Sequence, residues 1–209
     1  MADFSLFPRS GLEQLLPPGT HGDHAGEPGV AVALRTDLAL AYVLARNSKI
    51  GELQKRVRER FGLALPMAAQ HAENARVAGL DSLNFIWAGP GRWLAGTSAQ
   101  TGASLEAMLR KELSDVVSVI NQTDGRCVFR IGGPSVREVL AKGVPIDLDP
   151  RVFSPGDTAL TLVGHISVHL WQVDPTPTYD FAVPRSFAAS FCEWLFAAAA
   201  SHGLIIRAA

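Results

Sequence analysis

The chain contains 209 residues, of which 47% are hydrophobic and 19% charged, and its formal net charge is −1. This length and apolar content support one large domain or two small ones packed together. The near-neutral charge balance, without a basic patch, argues against nucleic-acid binding. Two cysteines are too few for a disulfide scaffold or a cysteine-built metal site. Because no stretch has the pattern of a signal peptide or a membrane span, the sequence predicts a cytoplasmic protein.

Residues 1–29 are predicted to form an extended N-terminal arm. Its prolines and glycines disfavour regular structure, yet it carries apolar side chains that a solvated tail would not usually contain. These side chains are Phe4, Leu6, Phe7, Leu12, Leu15 and Leu16. They are expected to cover either the body of this protein or a neighbouring chain, and the sequence leaves both alternatives open.

The next segment, residues 30–115, has the pattern of paired strands alternating with amphipathic helices. The expected elements are strands at 30–34 and 38–44, a helix at 48–61, strands at 83–87 and 92–95, and a helix at 102–113. The second strand pair forms a hairpin signal with an aromatic residue on each arm, Trp87 and Trp93.

The best-specified unit is the stretch 124–149. Apolar residues alternate from Cys127 to Ile131, which is the period of a half-buried strand. Pro134 fits the first position of a short helix, and Gly143 fits the position just past its end. The pattern predicts a strand packed against a short helix, and no residue in this stretch indicates a catalytic site.

The C-terminal part is predicted to contain a hairpin, a further strand and a long helix. The expected strands are 159–163, 165–173 and 179–183, with another at 116–120 before the central unit, and the helix spans 184–202 with Phe187, Phe191, Trp194, Leu195 and Ala198 inward. Hairpins with interspersed helices predict an α+β fold with mostly antiparallel sheet. Residues 30–205 are expected to form one compact body of two packed sheet-and-helix halves, about 30–115 and 116–205.

The histidines do not form a convincing metal site. His165 and His169 lie on the same side of one predicted strand, but four residues of strand place them about 13 Å apart, too far to share a metal ion. In the arm, His21 and His24 flank Asp23 without an evident third ligand.

Besides the histidines, two arginines are candidate binding residues. Arg126 and Arg130 share one strand face and bracket Val128, so they could hold a carboxylate or a partner's acidic edge. The alternative is that they are exposed charges of an edge strand. Cys127 faces the core, where a thiol is inert. The sequence therefore assigns no catalytic, cofactor-binding or metal-binding residue to this chain.

Several short motifs, spread in order over nearly the whole chain, resemble the gamma subunit family of heterotetrameric sarcosine oxidase. They are Phe7-Pro8-Arg9-Ser10, Phe61-Gly62-Leu63-Ala64-Leu65-Pro66, the run from Ile86 to Leu94, Arg126 to Pro134, the run from Val139 to Leu148, and Asp180 to Phe187. The run from Val139 to Leu148 is the most specific of these motifs.

The resemblance implies a fold similar to the folate-binding aminomethyltransferase-like proteins. It implies alpha, beta and delta partner subunits in a complex that oxidatively demethylates sarcosine to glycine. Hydrogen peroxide would form from oxygen, and the one-carbon unit would leave as formaldehyde or 5,10-methylenetetrahydrofolate. FAD, FMN, NAD and zinc would belong to the partner subunits, with none in this chain. The chain would then be a structural subunit without catalytic residues of its own.

Two other functions remain open at this point. The chain could bind folate or a related pterin, with Trp87, Trp93, Arg126 or Arg130 supplying stacking and carboxylate contacts. It could also be the gamma-like subunit of a related N-methyl amino-acid oxidase or dehydrogenase, whose substrate pocket would lie outside this chain.

Overall fold

The computed structural model describes residues 12, 14–22, 26–68, 71–74, 83–98 and 100–207. The strands are β1 (Gly19–His21), β2 (Val30–Leu34), β3 (Ala39–Ala45), β4 (His71–Asn74), β5 (Leu83–Trp87), β6 (Arg92–Thr97), β7 (Val117–Asn121), β8 (Arg126–Gly132), β9 (Thr158–Val163), β10 (Ile166–Asp174), β11 (Thr178–Pro184) and β12 (Leu204–Arg207). The α-helices are α1 (Ile50–Phe61), α2 (Gly102–Glu112), α3 (Val136–Leu140) and α4 (Ala188–Ala199). None of the helices described is long and apolar enough to cross a membrane.

The described strands form two sheets. The larger sheet has the order β1-β12-β2-β8-β11-β10-β9, and the smaller has the order β4-β5-β6-β3-β7. Every pairing is antiparallel except that of β12 with β2. The predicted α+β class with mostly antiparallel sheet is therefore confirmed.

The two sheets stack face to face, and helices cover both outer faces. Buried residues of α1 and α2 join the outer face of the smaller sheet in one apolar cluster, while residues of α3 and α4 join the outer face of the larger sheet in another. A third cluster lies between the inner faces and contains Leu40, Ile86, Leu94, Val128, Trp171 and Ala182. The order of layers is thus helix, sheet, sheet, helix.

Strand β8 lies in the middle of the larger sheet, with β2 on one side and β11 on the other. Cys127, Phe129 and Ile131 face the helices, as the alternation predicts. Val128 is also buried, because the opposite face of β8 packs against the smaller sheet. The prediction of a half-buried strand is therefore wrong, since alternation alone does not show that a second sheet covers the other face.

The boundary between the two sheets does not coincide with the predicted boundary between residues 115 and 116. Strand β2 precedes residue 115 but belongs to the larger sheet, and β7 follows residue 116 but belongs to the smaller sheet. Each half of the chain therefore contributes one strand to the sheet built mainly by the other. The organisation as one body of two parts stays a prediction, but its parts are interleaved in sequence.

The predicted C-terminal helix is shorter than expected. A 3-10 turn, Arg185–Phe187, precedes α4, and Phe187 is half exposed instead of facing inward. Helix α4 ends at Ala199, and Gly203, whose φ of 70° favours glycine, redirects the chain just before the next strand. The chain then continues as β12, a strand that the sequence does not predict because four residues give little periodic signal.

The described part of the N-terminal arm packs on its own chain. Leu12 and Leu16 are buried in the apolar cluster of the larger sheet, and β1 pairs with β12 at the sheet edge. The expectation that prolines and glycines exclude regular structure is wrong for β1, because its partner strand comes from the opposite end of the sequence. Phe4, Leu6 and Phe7 lie outside the described residues.

The short helix after β8 differs from its prediction at both ends. Helix α3 begins at Val136, so Pro134 precedes the helix by two residues. Gly143 is not among the residues with positive φ and therefore is not a left-handed cap. A Cβ at Gly143 would lie 2.5 Å from Nε1 of Trp194, so the position requires glycine because the chain passes directly beneath the indole.

We expect Gly143→Ala to lower the free energy of unfolding by about 1–3 kcal/mol, because the added methyl group overpacks the contact with Trp194. Equilibrium urea unfolding measures this loss. Gly51→Ala is the matched control, since Gly51 lies in α1 and an added Cβ would have no neighbour within 4 Å. Alanine there should stabilise the protein by about 0.5–1 kcal/mol. Equal effects at both sites would contradict the packing argument.

Candidate functional site

The polar residues with the most distinctive geometry lie between the two sheets. Arg126 and Arg130 project from β8, His169 from β10 and Asp180 from β11, all on the face of the larger sheet that meets the smaller one. Register explains part of this clustering, because Arg130 and Asp180 are directly opposite each other in the β8–β11 ladder. This layer is the candidate site.

Arg130 and Asp180 form a bidentate ion pair. The Nε and Nη2 atoms of Arg130 donate to the two carboxylate oxygens of Asp180 at 2.7 and 2.8 Å. The Asp180 side chain is only 3% exposed. Arg35 approaches the same carboxylate at 3.7 Å and pairs with Asp37, whose pKa its guanidinium holds below the ordinary value. Two cations and two anions thus neutralise one another here.

Arg126 has neutral partners instead. It donates to the Tyr42 hydroxyl at 2.6 Å and to the Ala182 carbonyl at 3.2 Å, and its guanidinium carbon lies 5.2 Å from the centroid of the Tyr42 ring. The alternative of exposed edge-strand charges is wrong for both arginines, because β8 is an interior strand and both side chains are half buried.

The two histidines of the predicted hairpin have different environments. His165 is exposed in the turn before β10, whereas His169 is fully buried and its Nε2 lies 2.8 Å from the Thr158 hydroxyl. Burial and the Arg126 cation lower the pKa of His169 to about 4, against a smaller opposing effect from the Trp87 backbone. The ring is therefore neutral at physiological pH.

This burial predicts a specific loss of stability in acid. The unfolded chain takes up the His169 proton near pH 6.5 and the folded chain only near pH 4. The stability that depends on the neutral ring is complete above pH 6.5 and falls by up to about 3 kcal/mol as the pH drops to 4. Urea unfolding at a series of pH values should show a flatter profile for His169→Gln. His165→Gln, the matched control, should keep the wild-type slope, and a wild-type slope in both variants would contradict the assignment.

The two tryptophans of the predicted hairpin lie apart from Arg126 and Arg130. Trp93 is fully buried on the helix-facing side of the smaller sheet, and its Nε1 donates to the Pro66 carbonyl at 2.6 Å. Trp87 pairs with it across the β5–β6 ladder and packs against the same cluster. Because Arg126 and Arg130 lie beyond the opposite face of this sheet, the structure does not assemble the four residues into one folate or pterin pocket.

The remaining candidates are structural. Cys127 and Cys192 are buried, and burial raises the pKa of both thiols, that of Cys192 to about 11. Each is therefore protonated and unreactive at neutral pH. The Nε2 of His21 donates to the Pro17 carbonyl at 2.9 Å, and the ring packs on Phe196. Asp23 and His24 lie outside the described residues. The described part of the chain contains no group of three or more His, Cys, Asp or Glu residues positioned for a metal ion.

The side chains that bind the two arginines could not be predicted from the sequence. Asp180, Arg35 and Tyr42 gave no signal of their own, because they become neighbours of Arg126 and Arg130 only through strand register and sheet stacking. The arrangement can position and neutralise charge between the sheets. Within the described residues it does not pair a nucleophile with a free base, which acid–base or nucleophilic catalysis requires.

Comparison with known proteins decides the family. The model of the "Sarcosine oxidase, gamma subunit family" matches residues 46–201. The chain belongs to the sarcosine oxidase gamma subunit family. A sarcosine oxidase subunit gamma from Arthrobacter sp is 30% identical over 86% of this chain and 83% of its own length. The subunit gamma from Corynebacterium sp. (strain P-1) is 35% identical over 53% of each chain, so that match spans about half of either protein.

Solved structures confirm the fold that the resemblance implied. A chain of heterotetrameric sarcosine oxidase from Corynebacterium sp. U-96 superposes with a TM-score of 0.70 at 24% identity, covering 90% of this chain and 89% of that one. Aminomethyltransferase T of the glycine cleavage system from Bartonella henselae superposes with a TM-score of 0.62 at 15% identity. That match covers 87% of this chain and 48% of the transferase. This chain therefore has the fold of the aminomethyltransferase-like proteins.

Proposed function

We propose that this chain is the gamma subunit of a heterotetrameric sarcosine oxidase and acts as a structural and assembly subunit. Its partners are the alpha, beta and delta subunits, which carry FAD, FMN, NAD and zinc. The complex oxidatively demethylates sarcosine to glycine, producing hydrogen peroxide and either formaldehyde or 5,10-methylenetetrahydrofolate. The complex is cytoplasmic. Membership of the gamma subunit family carries this proposal.

The interior chemistry supports a structural role over a catalytic one. The carboxylates of Asp37 and Asp180, in and beside the candidate site, are both held by arginines. The buried His169 is neutral, with a pKa of about 4. A general base needs a pKa near the operating pH and access to substrate, and His169 has neither. The chain's own residues therefore hold two sheets together, and the proposal assigns the reactive groups to the partner chains.

Coexpression with and without the gamma chain tests the proposal. The four subunit genes are expressed together, then with this gene omitted, and the products are compared by size-exclusion chromatography and native mass spectrometry. We expect a four-chain particle only when this chain is present, and a smaller or aggregated product when it is absent. A stable monomer that ignores all three partners would contradict the proposal.

The substrate of the complex separates this proposal from a gamma-like subunit of a related N-methyl amino-acid oxidase or dehydrogenase. The assembled complex should oxidise sarcosine faster than other N-methyl amino acids under matched conditions. The opposite preference would assign the chain to a related enzyme while leaving its assembly role intact.

A further inference from the structure

A pocket of about 340 Å³ lies at one end of the space between the two sheets. Leu34, Leu38 and Leu40 contribute apolar walls, and three arginines line the pocket: Arg35, Arg126 and Arg185. Arg35 is already paired with Asp37, which leaves the other two as the candidate cations. Arg185 is exposed, so the pocket opens to solvent beside it. An apolar cleft with a few convergent polar groups is the usual form of a small-molecule site.

Arg126 lines this pocket and has hydrogen-bond donors that its described partners leave unused. A guanidinium has five N–H groups, and Arg126 uses two of them, toward Tyr42 and the Ala182 carbonyl. Its Nε is buried without a hydrogen-bond partner. Among the described residues no carboxylate lies within 4.0 Å of this guanidinium, in contrast to Arg35 and Arg130. No acidic side chain in the described part of the chain therefore neutralises its half-buried charge.

Arg185 supplies a second cation at the mouth of the pocket. Its Nε donates to the Asp124 carbonyl at 2.7 Å, which fixes the stem of the guanidinium. Within the ranges that the structure describes, its Nη atoms form no ion pair. The carboxylate of Asp124 is exposed on the rim and does not pair with either arginine within 4.0 Å. Among the described residues, neither of these two guanidiniums forms an ion pair at this cleft.

We propose that this pocket binds a small organic carboxylate, with the carboxylate at Arg126 and Arg185 and the hydrocarbon part against the leucines. Planar guanidinium groups match carboxylates in geometry as well as charge. The leucine walls favour a ligand with a short alkyl body over a fully hydrated inorganic anion. The site does not depend on the assembly role, because its residues all belong to the described part of one chain.

Nuclear magnetic resonance on the full-length chain, labelled with ¹⁵N-arginine, tests the proposal. The probe is butyrate, and butyramide is the uncharged control of nearly the same shape. We expect millimolar butyrate to shift the Nε–H signal of Arg126 in a saturable manner and butyramide to leave it unchanged. An unshifted signal, or an equal shift with butyramide, would overturn the proposal. Equal binding of inorganic phosphate would overturn the assignment to organic carboxylates.

Two arginine variants test whether butyrate binds in this pocket. Arg185→Gln should weaken butyrate binding about tenfold, the usual effect of losing one hydrogen bond to a charged group. Arg151→Gln is the matched control, because Arg151 is 86% exposed and pairs with Asp149 away from the pocket. Unchanged affinity in Arg185→Gln, or an equal loss in both variants, would contradict the site.

Discussion

Replacing Asp180 with Asn is expected to lower the free energy of unfolding by about 2–4 kcal/mol, because it leaves the Arg130 guanidinium between the sheets without its anion. Removing one partner of a fully buried pair typically costs about 3–5 kcal/mol. The lower range applies here because the Arg130 side chain is 36% exposed and water can solvate part of the charge. Urea unfolding at neutral pH measures the loss.

An exposed ion pair on α1 is the matched control for this variant. Glu59 lies 3.8 Å from Lys55, and both side chains are more than half exposed. Glu59→Gln should change the free energy of unfolding by less than about 0.5 kcal/mol. Similar small losses in the two variants would show that the Arg130–Asp180 pair does not hold the inner face of the larger sheet.

Leu94→Ala is expected to cost about 2–5 kcal/mol, as large-to-small substitutions in a packed core do. Leu94 is fully buried in the apolar cluster between the sheets and packs with residues such as Val128 and Trp171. The cavity left by the substitution therefore weakens the contact that joins the sheets. Chemical unfolding followed by tryptophan fluorescence measures the loss, and the transition should stay cooperative.

The edge strand β9 provides the control for Leu94. Leu160 is 52% exposed there, so Leu160→Ala should stay within about 0.5 kcal/mol of wild type. A loss of less than about 1 kcal/mol in Leu94→Ala would contradict the view that burial between the sheets stabilises the fold.

Local periodicity was sufficient to predict much of the fold. The segments around β5, β6, α2 and β8 to β11 carry strand or helix patterns strong enough to place them within a few residues. The pairing of β12 with β2, and of β1 with β12, could not be predicted, because these contacts join distant parts of the sequence through very short strands. Strand β4 could not be predicted, because its four residues give little periodic signal.

The candidate site was predictable only in part. The shared face of Arg126 and Arg130 followed from the period of a strand. In the structure Arg130 binds a carboxylate of its own chain, so its binding of a ligand or of a partner's acidic edge stays a prediction. That the carboxylate is Asp180 depends on the register of β8 with β11, which sequence alone does not give. The separation of Trp87 and Trp93 from the arginines depends on which sheet face each occupies, and that follows only from the stacking of the sheets.

We propose that this chain supplies structure to an assembly whose reactive groups lie on other chains. The most direct test of this claim compares the purified chain with the coexpressed complex by visible absorption and by sarcosine-dependent hydrogen peroxide formation. We expect no flavin absorbance and no peroxide from the chain alone, with both present in the complex. A flavin retained by the lone chain, or turnover of sarcosine by it, would contradict the claim.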